Sequence, residues 1–286
     1  MLRLLGNERD NFLMDIRRLG MDEEQREIFE KILKAPHGMV LVTGPTGSGK
    51  TTTLYAVLSR IVKRKVNVVT VEDPVEKVID GMTQVQINPK SGLTFATALR
   101  SILRQDPDVI MVGEMRDEET VSIGVRAAIT GHQVLSTLHT SDCASTINRL
   151  RNMGVPSYMA AASLSVIIAQ RLVKTLCPFC RVSYVPDDRE KKLFASLEGC
   201  RTELLWKPVG CPGCNHTGYS GRKAVYEMME VDDFMKSMIL DNTPPYEIRK
   251  RRSEKGFRAL RDYALIMAAR GETSIEEAEK IIYSVE

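Results

Sequence analysis

Residues 39–43 form an apolar run that leads straight into Gly44-Pro45-Thr46-Gly47-Ser48-Gly49-Lys50-Thr51, and few folds accommodate that junction. The segment satisfies G-x-x-x-x-G-K-[ST] at every fixed position, between a strand and the start of a helix. Glycines let successive backbone N–H groups curl around a phosphate without Cβ clashes, and the helix N-terminus adds partial positive charge. Lys50 is then placed to neutralise β- and γ-oxygens, and the Thr51 hydroxyl to bind Mg²⁺. Gly44, Pro45, Thr46, Gly47, Ser48, Gly49, Lys50, Thr51 and the adjoining Thr52 make a candidate nucleoside triphosphate loop.

The chain around this loop alternates strands and helices. Residues 66–71, 109–112 and 132–135 are apolar strands, while 49–62, 95–103 and 118–128 carry helical patterns. Strands this apolar, separated by helices, predict a mostly parallel sheet covered on both faces. Residues 23–33 predict an earlier amphipathic helix with Asp22 as N-cap. The longest apolar stretch, residues 159–169, is interrupted by Ser163 and Ser165 and is too short to span a bilayer. It reads as a buried helix. At 43% apolar and 27% charged residues, the chain is an ordinary globular one rather than disordered, collagenous or disulfide-built. A net charge of +3 is too balanced for a nucleic-acid binder by bulk charge. No secretory leader is legible, so the six cysteines point to a reducing compartment, where paired cysteines hold metal more often than they form disulfides.

A nucleotide site also needs a carboxylate to place the metal and a group to orient water, usually at the ends of neighbouring parallel strands. One strand ends in Glu72-Asp73-Pro74-Val75-Glu76 and another in Gly113-Glu114. Glu76 and Glu114 are the stronger candidates; Glu72 and Asp73 could equally be loop carboxylates. Gly113 stands where many P-loop ATPases carry a metal-binding Asp. His132 and His139 flank a third strand, and a histidine at a strand end near phosphate can sense it by hydrogen bonding.

After residue 176 the texture changes. Cys177-Pro-Phe-Cys180 and Cys211-Pro-Gly-Cys214 form two C-x-x-C pairs separated by 30 residues. Tetrahedral Zn²⁺ takes four thiolates, two from each tight knuckle, and such a closed site is structural. A helix inserted near residues 189–197 would account for the long spacer. Cys143 and Cys200 are read as plain residues, and His216 as a less favoured substitute ligand.

Four stretches now stand in order: GPTGSGKTT, VEDPVE (71–76), LRSILRQDPDVIMVGEMRD (99–117) and TGHQVLSTLHTSD (130–142). They resemble the Walker A, Asp box, Walker B and His box of the type II secretion and type IV pilus assembly ATPases, across nearly the whole chain. Gly113 matches that family's own pattern. The resemblance implies an α/β, RecA-like P-loop NTPase core with a small four-cysteine zinc subdomain and a helical C-terminal tail. Residues 1–21 are expected to be the end of a preceding N-terminal domain and linker, 22–175 the ATPase core, 176–230 the cysteine subdomain and 231–286 the helical subdomain. Carried over by position, Glu76 would activate water, and Glu114 would hold Mg²⁺ through water. His132 and His139 would couple nucleotide state to motion. Arg100 and Arg104 would lie near a subunit boundary, and Arg3 would reach bound nucleotide, where a guanidinium fork suits a transferring phosphoryl group.

The expected function is an ATP-hydrolysing homo-hexamer using ATP, Mg²⁺ and structural Zn²⁺. It would power pseudopilus or pilus assembly at the cytoplasmic face of the inner membrane, with a membrane platform protein and a cytoplasmic adaptor as partners. The four-cysteine element resembles assembly rather than retraction motors. Alternatives are a DNA-uptake or nucleic-acid-translocating ATPase, although no DNA-reading motif is present and no nucleic acid is expected, or a silent scaffold. The basic run Arg249-Lys250-Arg251-Arg252 suggests either a solvated helix face or peripheral contact with anionic lipid.

Overall fold

The computed structural model describes residues 19–195, 197 and 202–285, with the side chains of 284 and 285 excepted. Arg3 and the strand-like segment around it, and Cys200, lie outside the described residues. The first element, α1 (Glu23–Lys34), begins at a reciprocal cap: Gln25 N–H donates to Asp22 Oδ1 at 2.9 Å, and Asp22 N–H to Gln25 Oε1 at 3.2 Å. Its buried face is Phe29, Ile32 and Leu33.

The core is a seven-stranded sheet in the order β3-β2-β4-β5-β1-β6-β9. Its strands are β1 (Gly38–Thr43), β2 (Val68–Glu72), β3 (Thr83–Gln86), β4 (Val109–Val112), β5 (Gln133–Leu138), β6 (Leu164–Leu176) and β9 (Tyr219–Glu230). All neighbours run parallel except β9, which pairs antiparallel to β6. Between them come α2 (Lys50–Ile61), α3 (Phe95–Ile102), α4 (Glu118–Ile129), α5 (Cys143–Asn152) and α6 (Ser157–Ser163).

Strand alternation divides the core into two layers. Met39 and Leu41 face one side, with Leu99, Val121 and Ile147 of α3, α4 and α5; Val40 and Val42 face the other, with Phe29 of α1 and Leu54 and Leu58 of α2. Every residue of β1 is buried, and each large side chain so removed from water contributes about 1.5–3 kcal/mol. Because strands β1, β2, β4 and β5 are parallel, their C-terminal ends gather on one edge of the sheet. That edge carries the site.

One expectation is corrected here. Residues 159–169 are not a single buried helix: α6 ends at Ser163 and β6 begins at Leu164. Val166, Ile167 and Ile168 are β-branched and buried between β1 and β9, where a strand accepts apolar residues on both faces. Periodicity cannot tell such a run from a buried helix. The polar strand β3, half-exposed at the sheet edge, was not anticipated.

The cysteine region adds β7 (Val182–Tyr184), α7 (Asp188–Phe194) and β8 (Leu205–Lys207), with β7 and β8 antiparallel. The helix anticipated in the spacer is α7. β9, from the same stretch of sequence, joins the main sheet. Four helices complete the chain: α8 (Asp233–Leu240), α9 (Pro245–Ser253), α10 (Leu260–Ala269) and α11 (Ile275–Val285). Trp206 docks the cysteine region on this tail. A Cβ at Gly271, whose φ is +67°, would lie 2.5 Å from the indole, and Arg181 stacks on the same ring at 4.7 Å.

Candidate functional site

The loop between β1 and α2 follows from its glycines. Gly44, Gly47 and Gly49 adopt φ of +151°, +79° and +89°, and a Cβ on Gly49 would meet Gln170 Nε2 at 2.8 Å. α2 starts with no side-chain cap, so its first N–H groups face the cleft. Lys50 Nζ curls back to the Gly44 and Pro45 carbonyls at 2.8 and 3.0 Å. Burial lowers its pKa, opposed by the nearby Glu114 carboxylate and reinforced by Arg171. Ser48 Oγ is buried without a hydrogen-bond partner. A curled loop of amides, a desolvated ammonium and an orphaned hydroxyl fit a phosphate chain.

The cleft beside this loop is lined by Thr46, Gly47, Lys50, Thr51, Glu72, Asp73, Glu76, Glu114, Arg116 and His139, among others. Glu114 follows β4, and its carboxylate is 2.5 Å from Arg116 Nη2 and 3.7 Å from His139 Nε2. Burial, with Lys50 nearby, lowers the His139 pKa and favours the neutral ring. Ser48, Gly49 and Thr52 line a second cleft on the other flank of the loop, with Gln170, Leu172 and Tyr226.

The four carboxylates after the strands separate in kind. Glu72 is buried and accepts from Thr70 Oγ1 at 2.6 Å, Gln84 Nε2 at 3.0 Å and the Tyr55 hydroxyl. That hydroxyl in turn accepts the Glu76 backbone N–H at 3.3 Å and is held above the usual phenol range by burial and by Glu72. Glu72 thus supports the loop that presents Glu76. Gly113 has a steric explanation: a Cβ there would lie 3.2 Å from the Val71 carbonyl and 3.5 Å from Glu72 Cα. Gly113→Asp is therefore expected to cost about 1–3 kcal/mol through overpacking against backbone. A thermal melt at or above the parent temperature would contradict this.

Not every candidate converges. His132 sits at the start of β5, the opposite end of the strand from His139, with Nδ1 3.1 Å from the Ala127 carbonyl. It does not face the phosphate loop. Arg100 is exposed and paired with Glu119, and Arg104 is exposed just beyond α3; neither lines the cleft. In the basic run, Arg249 pairs with Asp142, Arg251 with Glu247 and Arg252 with Asp232. Three of the four cations thus have carboxylate partners, although Arg249 and Arg251 stay exposed and only Arg252 is largely covered.

The cysteine pairs meet. Their four sulfurs lie within 4.8 Å of one another, with Cys177–Cys211 at 3.9 Å and Cys180–Cys214 at 3.8 Å. A tetrahedron of Zn–S bonds of about 2.3 Å requires sulfurs about 3.8 Å apart, so the set fits zinc. Backbone N–H groups of Cys211 and Gly218 point at Cys214 Sγ at 3.3 and 3.2 Å and lower its pKa, while burial raises that of Cys180, so the clustered thiols do not ionise alike. His216 is not part of this cluster.

Sequence reasoning missed a buried charged group behind the loop. Arg171 donates to the Ser141 carbonyl at 2.9 Å, and Asp142 caps α5 while receiving Arg249 at 2.8 Å. Glu227 on β9 is fully buried, its pKa raised by burial, and accepts from the Cys143 and Leu260 amides at 3.0 Å each. These residues come from four separate elements, and no local pattern announces them.

Residues 1–280 match the family described as Type II/IV secretion system protein. The Type II secretion system ATPase E of Vibrio cholerae serotype O1 is 46% identical over 94% of this chain and 53% of its own length. The Type IV pilus assembly ATPase PilB of Myxococcus xanthus is 45% identical over 96% of the chain and 49% of its own. The chain thus spans about half the length of these relatives. Among solved structures, the pilus retraction motor PilT with bound ADP superposes with a TM-score of 0.70 at 28% identity, over 93% of this chain and 66% of that one. A family match along almost its entire length, on a sheet that superposes on a solved relative, makes this chain a member of the Type II/IV secretion system protein family.

Proposed function

We propose that the chain is the ATP-hydrolysing part of a hexameric motor that drives pseudopilus or pilus assembly. One observation carries this reading: Lys50, Thr51, Glu76, Glu114 and His139, from four separate segments, line a single cleft at the C-terminal edge of the sheet. The loop amides and Lys50 would bind the β- and γ-phosphates. Thr51 and Glu114 would hold Mg²⁺, which when bound offsets charge on the phosphate oxygens. Glu76, steadied by the Tyr55–Glu72 pair, would take the proton of the attacking water. His139, neutral beside Glu114, would register the γ-phosphate and pass its loss to the loop that follows.

Arg100 and Arg104, exposed outside the cleft, would complete a neighbouring subunit's site, and Arg3 would act on bound nucleotide as the family resemblance implies. His132, remote from the phosphates, would act only through the β5 backbone. Assembly is favoured over retraction because the relatives at 46% and 45% identity are named for type II secretion and type IV pilus assembly. No helix among the described residues is long and apolar enough to cross a membrane. The motor would work at the cytoplasmic face of the inner membrane through a platform protein and an adaptor.

The test is phosphate release per chain against protein concentration, with and without DNA. Specific activity should rise cooperatively with concentration and ignore DNA. Activity independent of concentration would remove the shared-site reading, and stimulation by DNA would favour a nucleic-acid motor.

A further inference from the structure

The loop that carries His139 into the cleft is held from both sides. On the cleft side, Thr140 N–H donates to Thr43 Oγ1 at 2.8 Å, one residue before the phosphate loop, and Arg171 holds Ser141. On the far side, Asp142 Oδ2 takes Arg249 Nη1 at 2.8 Å, from α9, 107 residues away. Glu227 fastens the next residue, Cys143, to the first amide of α10. A segment of five residues therefore ties the last residue of β1, which leads into the phosphate loop, to two C-terminal helices.

The Arg249–Asp142 pair is unequal. Asp142 has 2% of its side chain exposed, whereas Arg249 has 43%. If α9 moved away, Arg249 would hydrate at little cost, whereas Asp142, 2% exposed, would lose its one direct ion pair and keep only the Ser145 amide and the more distant Arg171. α9 itself is weakly anchored. Ile248 is its one fully buried residue, the helix packs on α5, and Arg252, 12% exposed, pairs with Asp232 and stacks on Phe257. An element held this way belongs to the low-stability end of a fold and can exchange between docked and undocked positions.

We infer that Arg249 is a positioning residue for the nucleotide cleft: through Asp142 it fixes the His139 loop, and the same pair makes the docking of α9 sensitive to bound nucleotide. This rests on the nucleotide-site reading above. A shift of His139 toward or away from phosphate displaces Asp142, and Asp142 takes α9 with it. By reciprocity, anything that holds α9 alters the cleft.

The test combines amide hydrogen exchange of residues 245–253 with nucleotide binding, followed by a fluorescent ADP, and steady-state kinetics. In the parent protein, a non-hydrolysable ATP analogue should change α9 exchange by about tenfold, within the usual range of coupling energies. In Arg249→Gln, α9 should exchange fast whether or not the analogue is present. Its ADP affinity should stay within about threefold while kcat falls about tenfold, the separation expected of a group that orients rather than binds. Arg249→Lys should recover part of kcat, and Lys250→Gln, one residue away and exposed, should change nothing. Should the glutamine variant fail to fold, the parent measurement alone still decides. Nucleotide binding with unaltered α9 exchange would overturn the coupling and leave the nucleotide site standing. Absence of any nucleotide binding would overturn both.

Discussion

Glu76→Gln is expected to slow ATP turnover by about 10²–10⁴-fold while leaving nucleotide affinity almost unchanged, the range in which a positioned proton acceptor contributes. The glutamine keeps the size and one oxygen of the native side chain but cannot take a proton from water. Lys50→Ala should differ in kind. It removes a desolvated ammonium that faces the loop carbonyls and Glu114, so both binding and turnover are lost. Glu72→Gln separates chemistry from architecture. Its carboxylate receives three donors, from Tyr55, Thr70 and Gln84, and an amide would turn one acceptor into a donor aimed at another donor. That change should cost about 1–3 kcal/mol of stability and lower the melting temperature, whereas Glu76→Gln should not. Phosphate release, fluorescent-ADP titration and thermal melts on the three variants give the comparison. Turnover of Glu76→Gln within threefold of the parent would remove Glu76 from the chemistry.

What the sequence made legible was local, and what it hid was long-range. The phosphate loop could be read because strand, glycines, Lys50 and helix are contiguous, and β4 because its four apolar residues are buried on both faces. Glu76 and Glu114 stood out because parallel strands end together, a consequence of topology that alternation already implied. His132 and His139 looked equivalent in sequence, each next to one strand, yet opposite ends of a strand lie on opposite edges of a sheet, and only His139 reaches the cleft. β6 was mistaken for helix because a short apolar run has no period to read, and β3 was overlooked because Thr83-Gln84-Val85-Gln86 is a half-wet edge with little apolar signal. The Asp142–Arg249 pair joins residues 107 apart, so Arg249 looked like one cation among four in a solvated run. Only the packing of α9 on α5 distinguishes it.

Loss of the zinc that the four cysteines would hold should have the other large effect, and it should be confined. Zinc chelation under reducing conditions, or Cys214→Ser, is expected to unfold the cysteine region while the main sheet and nucleotide binding persist. Two knuckles 30 residues apart are brought together by the four sulfurs, and the two-stranded β7–β8 ribbon is too small to hold them by itself. Structural zinc supplies about 10–16 kcal/mol of apparent binding free energy at neutral pH, far more than so small an apolar core can replace. Trp206, which lies against Gly271 and under Arg181, should lose its contacts with the tail, so its fluorescence reports the event. As the chain's one tryptophan, it gives an unambiguous signal. The main sheet should survive because β9 begins after the second knuckle and is held along β6 by its own ladder. Limited proteolysis should then cut within residues 178–218 and spare the core. Cys143→Ser is the control: this thiol is buried against the Ile167 and Glu227 carbonyls and is not part of the cluster, so zinc content should not change. A chain that carries no zinc as purified, yet resists protease as well as the zinc-loaded form, would show that the sulfurs serve packing and not metal.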